Sequence, residues 1–191
     1  MKRATRADRS LVINLLSAAF DENKSVNYII PQDNFRQKRI RVLMDYSFET
    51  CFLSGDIYLS DDEKACALIS FPDRKKNSFR SILADVKLIF KGTGFGNISK
   101  VLRREKAISS HYPNSPICYL WFIGVLPEHQ NQGIGRRLLN EIMEDAENLG
   151  RPIYLETSTE KNLPWYHKAG FTIYHQMDFG YTLNLLKREF F

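Results

Sequence analysis

The stretch CYLWFIGVLPEHQNQGIGRRLLNEIMEDAENL, residues 118–149, decides the fold. Its first part belongs to the most apolar run of the chain, residues 117–125. So continuous an apolar run reads as a central strand covered on both faces. Its second part, Gly133 to Leu149, reads as a helix, with Ile134, Leu138, Leu139, Ile142, Met143, Ala146 and Leu149 on one stripe. Glu141, Glu144, Asp145 and Glu147 lie largely off that stripe, and Gly150 is a natural C-terminal stop. Between strand and helix stand two glycines, Gly133 and Gly135, in QNQGIGRR. A helix start leaves backbone N–H groups without partners and carries partial positive charge, so a phosphate fits there if the backbone can come close. Glycines remove the side chains that would bar the approach. The residues rule out two familiar phosphate loops. No G-K-S/T follows, as a Walker loop requires, and Leu138 stands where a dinucleotide fingerprint has its third glycine. What the residues support is an anion site at a helix N-terminus, with a plain tight turn as the alternative.

Working outward, Met1 to Thr5 reads as an edge strand, and Thr5 with Asp8 fits a capping box that opens a helix bearing Leu11, Leu15, Ala18 and Ala19 on one face. Pro31 is expected to open a second helix, with Leu43, Tyr46 and Phe48 among its apolar positions, that stops before Ser54-Gly55. Residues 56–60 and 65–71 read as two strands joined by the polar turn 61–64. Two helical patterns follow, separated by KGTGFGN, which reads as a flexible loop because Asn97 breaks the glycine spacing of a phosphate cradle. After the central strand and its helix, residues 153–157 form a strand, Pro164 to Lys168 a short helix, and residues 172–179 and 181–187 two more strands.

The 191 residues, 43% hydrophobic and 26% charged, suit one globular domain. No apolar stretch approaches the roughly 20 residues of a membrane-spanning helix, and MKRATRADRS lacks the apolar segment of a secretory signal. Cys51, Cys66 and Cys118 show no metal or redox spacing and read as buried free thiols in a reducing compartment, so the expected location is the cytoplasm. The net charge of +5 is uneven: residues 71–113 carry ten Lys or Arg against three acids, a net +7, while the rest carries −2. This block favours an anionic partner or a phosphate-bearing cofactor, against the simpler alternative of a solvated helix face. It interrupts an otherwise acidic chain and reads as an insertion.

IGVLPEHQNQGIGRRLL, residues 123–139, resembles the acyl-CoA-binding motif of the GNAT superfamily of N-acyltransferases. YLETSTEKNLPWYHKAGF, residues 154–171, is similar to that superfamily's second half-motif, in which a tyrosine precedes a K-x-G-F turn, and KRATRADRS resembles its first strand and helix. The H-Y-P…CYLWFIGV…LETS pattern is most similar to the branch containing puromycin N-acetyltransferase. The resemblance implies an α/β fold: a GNAT-type mixed, mostly antiparallel sheet with helices on both faces and a helical insertion between strands 3 and 4. It implies one N-acetyltransferase domain over residues 1–191, with the basic insertion at about 72–113.

The resemblance also implies the following roles, residue by residue. The strand at Ile123, Gly124 and Val125 pairs with the pantetheine arm, and its N–H groups polarise the thioester carbonyl. Gln130, Asn131, Gln132, Gly133, Ile134, Gly135 and Arg136 take the pyrophosphate. Tyr166 matches the tyrosine that protonates the leaving thiolate, with packing beside Trp165 and Phe171 as its alternative role. Asn162 binds the cofactor arm, a departure from the family, whose asparagine stands seven residues before the tyrosine, where this chain has Thr159. The general base is open: residues 117–125 hold no carboxylate, which leaves Glu156, directly or preferably through a water relay, or His111; a purely structural Glu156 is the alternative, and Glu128 and His129 read as surface residues of the turn.

The expected activity is transfer of an acetyl group from acetyl-CoA to the amine of a small molecule by direct attack, without metal. The alternative is a non-catalytic acyl-CoA-binding or nucleic-acid-binding module using the insertion, which a scarcity of stacking aromatics there disfavours. No membrane partner is expected, and the insertion either shapes the substrate pocket or makes a homodimer contact.

Overall fold

The computed structural model describes residues 1–75 and 79–190. Seven strands form one sheet in the order β1-β2-β3-β4-β5-β7-β6. They are β1 (Lys2–Arg3), β2 (Gly55–Leu59), β3 (Ala65–Ser70), β4 (Cys118–Val125), β5 (Ile153–Thr157), β6 (Thr172–Asp178) and β7 (Thr182–Arg188). Five neighbouring pairs are antiparallel and one, β4 with β5, is parallel. The helices are α1 (Arg9–Ala19), α2 (Lys24–Ile29), α3 (Arg36–Ser54), α4 (Phe79–Lys87), α5 (Ile98–Ser109), α6 (Ile134–Asn148) and α7 (Leu163–Lys168). The expected mixed, mostly antiparallel sheet with a helical insertion between the third and fourth strands is the observed one. Lys76, and the side chains of Phe79, Arg80 and Phe95, lie outside the described residues.

One face of the sheet carries α6 and α7. Ile134, Leu138, Leu139, Ile142 and Ala146 pack there against Cys118, Leu120, Ile153 and Leu155. The opposite face carries α1 and α3 over Ile57, Leu59, Cys66, Leu68 and Phe122. There α5 adds Ile108, which packs on Leu183 and Leu185. The stripe read for α6 is buried except for Met143, which is half-buried, and its last member, Leu149, which is exposed because the helix ends there. Gly150, in the left-handed region at φ 61, lets its own N–H and that of Arg151 return to the carbonyls of Glu147 and Ala146 and close the helix.

Side-chain direction along β4 carries the main structural consequence. Cys118 and Leu120 face α6, and Tyr119 faces the other side. Trp121 and Phe122 then both face the α1 side, after which Ile123 and Val125 return to the α6 side. The β3 register explains this: Leu68 pairs with Phe122 and Ile69 with Leu120, so Trp121 is an extra residue. Such a bulge bends its strand and increases its twist. Beyond it β4 leaves β5, and the two strands share only the pairs Cys118–Ile153 and Tyr119–Tyr154. The rest of β5 continues along β7. The two strands therefore part beyond these pairs and leave a slot in the ladder between residues 120–125 and residues 155–157.

The structure corrects several local expectations. The buried residues of α1 are Val12, Ile13, Leu15, Leu16 and Ser17, while Leu11 is half-buried and Ala18 exposed. The reason is Gly124: a Cβ there would lie 3.0 Å from Ala19 Cβ and 3.3 Å from Leu16, so the strand draws the 12/15/16/19 stripe close. Pro31 does not open α3; Asp33 caps a turn by accepting from Phe35 N–H at 2.9 Å, and the helix begins at Arg36. A short helix not read in the sequence, α2, is capped by the Asn23 side chain, which accepts from Val26 N–H at 3.1 Å. KGTGFGN is not a loose loop. Most of it lies in a π-turn and a 3₁₀ turn, and Gly92 packs so closely that a Cβ would stand 2.9 Å from Leu88 Cδ1 and 3.4 Å from Val42.

Candidate active site

The turn from β4 into α6 supplies a row of donors. None of the backbone N–H groups of residues 131–136 meets an acceptor among the described residues. Gly133 caps α6 at φ 77 and Asn131 sits at φ 61, both left-handed, which curls the chain so that successive N–H groups gather. The glutamine side chains brace the turn from within: Gln130 Nε2 donates to Val125 O at 3.2 Å and Gln132 Nε2 to Glu128 O at 3.4 Å. At Gly135 the fit is tight, since a Cβ would approach Val125 Cγ2 to 3.2 Å and touch Trp165 at 3.9 Å. Arg136 and Arg137 are exposed at the helix start. Backbone donors, helix dipole and two guanidinium groups fit a pyrophosphate.

The slot begins beside this turn. Val125 and Ile123 line its β4 edge on the α6 face, and Gly124 on the opposite face lets α1 close in. Tyr166 lies on the same face as the turn. Its ring sits 4.6 Å from Trp165 and 5.7 Å from Phe171 in an edge-on contact, so the packing role read from the sequence is real. Its hydroxyl makes no hydrogen bond to any described residue. Burial pushes its pKa above the ordinary value, which keeps the phenol protonated at neutral pH. A buried phenol without a protein partner is free to donate a proton. Asn162 stands at the N-cap of α7 with its backbone bonded to Thr159 and its amide free of partners among the described residues.

Glu156 occupies the other face. It follows Tyr154 by two positions on β5 and points with it away from α6. One carboxylate oxygen accepts from Tyr119 OH at 2.5 Å and the other from Arg104 Nη2 at 3.1 Å. Burial raises the Tyr119 pKa well above its ordinary value, and the facing Glu156 adds to this. Burial also raises the pKa values of Tyr112 and Tyr174, the other phenols near the carboxylate. Arg104 belongs to α5 and also meets Tyr181 OH at 3.3 Å and Glu105 at 3.0 Å. Burial opposes its charge, but Glu156, Tyr181 and Glu105 together raise its pKa further. His111, the other base named from the sequence, stacks on His175 with ring centroids 4.0 Å apart and donates through Nδ1 to Ala107 O at 2.9 Å. Glu128, exposed, and His129, half-buried, lie in a short 3₁₀ segment that precedes the glycine turn.

The structure thus brings Ile123, Val125, residues 130–136 and Tyr166 to the α6 side of the sheet and places Gly124 and Glu156 on its other side. Arg104, Tyr119 and Trp121 were not read from the sequence as site residues. Arg104 had a detectable signal: it falls three residues after Val101 and four before Ile108, on the apolar stripe of α5, where a charge demands a partner. Tyr119 and Trp121 had none, because inside an apolar run the bulge leaves no mark.

Residues 83–173 match the profile of the acetyltransferase (GNAT) domain. An uncharacterized N-acetyltransferase of Schizosaccharomyces pombe is 27% identical over 186 residues, covering 92% of this chain and 74% of that protein. Among solved structures, a histone acetyltransferase HPA2 and related acetyltransferase from Corynebacterium glutamicum superposes with a TM-score of 0.70 at 19% identity, over 100% of this chain and 96% of its own. Arylalkylamine N-acetyltransferase 2 from Aedes aegypti superposes with a TM-score of 0.65 at 14% identity, over 98% of this chain and 97% of its own. Residues 83–173 are thus similar to a GNAT acetyltransferase domain, and the fold of the chain is that of these neighbours.

Proposed function

We propose that the protein transfers an acetyl group from acetyl-CoA to the amine of a small molecule by direct attack. The observation that carries this reading is the row of unpartnered N–H groups at residues 131–136 beside the slot in the ladder where β4 and β5 part. The turn binds the pyrophosphate, and the pantetheine arm runs along Ile123 to Val125 as an added strand. The acyl group then lies in the slot, reachable from the face that holds Glu156.

The acceptor arrives as an ammonium and must lose a proton before it attacks. Glu156 accepts that proton, directly or through water, and passes it to solvent. The amine nitrogen forms a bond to the acyl carbon while β4 N–H groups stabilise the oxyanion. The C–S bond breaks, Tyr166 OH protonates the departing thiolate, and the phenolate recovers a proton released from the nitrogen. Acid and base stand on opposite faces of the slot, so neither has to serve both substrates. A covalent acyl-enzyme finds little support in the thiols: all three are buried, and burial pushes their pKa values up, that of Cys118 to about 11.

Cover over the acceptor side favours a small amine. Asn97 Nδ2 reaches Ile29 O at 3.2 Å and the Lys100 ammonium lies 3.8 Å from the Tyr28 ring centroid, so the insertion and α2 meet there. The arylalkylamine enzyme among the fold neighbours is named for acceptors of this size. Incubation with acetyl-CoA and a panel of aromatic, aliphatic and polyamine acceptors, with free thiol followed over time, tests the proposal. Amine-dependent thiol release is expected. Tight CoA binding with no release on any amine would leave a non-catalytic acyl-CoA-binding protein.

A further inference from the structure

Arg104 is the single charged side chain of the described insertion that the fold buries, at 5% exposure. It reaches Glu156 across the acceptor face, and Tyr119 holds the other carboxylate oxygen from β4. Beyond Tyr154, β5 no longer pairs with β4, so the ladder on that side does nothing to fix the end of the strand. The direction of the Glu156 carboxylate is instead set by two donors from two elements, one on each side of the slot. A carboxylate has about four acceptor positions, and these donors use two. The remaining positions can still take a proton from an amine. Tyr181 OH and Glu105 in turn hold the guanidinium, so Arg104 is braced from both ends.

We infer that Arg104 is a positioning residue for Glu156, which makes the insertion part of the acceptor half of the active site. The inference rests on the reading of Glu156 as proton acceptor. Its chemistry is charge and geometry together: a guanidinium presents a planar fork that an ammonium does not. The cofactor turn lies on the other face, so this contact should act on turnover and leave acetyl-CoA binding alone.

The test compares Arg104→Met, Arg104→Lys, Glu156→Gln and the double variant Arg104→Met/Glu156→Gln on the best amine of the panel. It reads kcat, KM for acetyl-CoA and thermal melting. Glu156→Gln is expected to lower kcat by roughly 10²–10⁴-fold, the span of general base catalysis. Arg104→Met should lower kcat by a large part of that factor with KM for acetyl-CoA unchanged. Arg104→Lys should recover some of the loss, and the double variant should be no slower than Glu156→Gln alone. Multiplying losses in the double variant, or a matching loss of acetyl-CoA affinity in Arg104→Met, would overturn the inference. If Arg104→Met fails to fold, Arg104→Lys decides it: wild-type kcat there overturns the positioning role, and an intermediate kcat supports it. Wild-type kcat in Glu156→Gln removes the proton-acceptor reading itself, and the inference with it; loss there beside an unaffected Arg104→Met removes the inference alone.

Discussion

In the proposed reaction the phenol of Tyr166 protonates the leaving thiolate. Its ring is held by Trp165 and Phe171 and its residue is 5% exposed, so replacing it with phenylalanine keeps the packing and removes only the hydroxyl. Because that hydroxyl bonds to no described residue, its loss leaves no buried partner unsatisfied. Stability should therefore change little. Turnover is expected to fall by roughly 10²–10⁴-fold, the usual worth of a general acid, with KM for acetyl-CoA unchanged. A thiol-release assay beside a thermal melt measures both, and near wild-type turnover in a folded Tyr166→Phe protein would leave the residue to packing alone. The tyrosine was readable in the sequence because its turn is local, Y-x-K-x-G-F, and Gly170 at φ 83 closes it. Arg104 and Glu156 lie 52 residues apart and meet only in the folded chain. Each was visible singly, one as a charge on an apolar stripe and one as a carboxylate beside the central strand, but no local pattern joins them.

At the scale of elements, the strand–turn–helix of residues 118–149 came through nearly intact, because helix periodicity, glycine caps and a long apolar run are all local signals. The short α2 did not, since six residues with three polar side chains make no stripe. The bulge did not either: whether Trp121 is an extra residue depends on how β3 pairs, and β3 is far away in sequence. The two glycines of the turn act for different reasons, and substitution separates them. A Cβ at Gly133 would meet open space, with Arg137 Nη1 nearest at 3.7 Å, but the φ of 77 there strains any side chain. Gly133→Ala should cost about 1–2 kcal/mol of stability, the penalty for a left-handed residue. Gly135 has ordinary φ but little room, since its Cβ would press on Val125 at the mouth of the slot. Gly135→Val should therefore weaken CoA binding by about tenfold or more, or 1.4 kcal/mol and up. Gly133→Val should weaken it as well, by bending the N–H row. Calorimetry with CoA reads both, and unchanged affinity in two folded valine variants would place the phosphate site elsewhere.

Across the whole molecule, the proposed reaction uses one face of the sheet for the cofactor and the other for the acceptor, and the insertion lies on the second. Its positive charge, conspicuous in the sequence, has two destinations. Arg104, Lys87 and Lys100 turn inward, to Glu156, to Asp45 at 2.5 Å and to the Tyr28 ring. Lys91, Arg103 and Lys106 are exposed and make no ion pair among the described residues, the solvated-face alternative read from the sequence. The two groups should therefore behave differently when neutralised. Converting Lys91, Arg103 and Lys106 to serine should leave kcat and both KM values essentially as they are. Lys100→Met is different, because its ammonium over the Tyr28 ring helps draw α2 and α5 together over the acceptor side. A cation–π contact contributes about 0.5–2 kcal/mol depending on desolvation, which corresponds to a shift of a few-fold to about thirtyfold. That shift should raise KM for the amine and spare KM for acetyl-CoA, whose turn lies across the sheet. Initial rates with one substrate varied and the other saturating separate the two constants. If Lys100→Met moves the acetyl-CoA constant equally, the two faces are not independent; if it moves neither while the serine variant moves the amine constant, the outward charges are the ones that meet the acceptor.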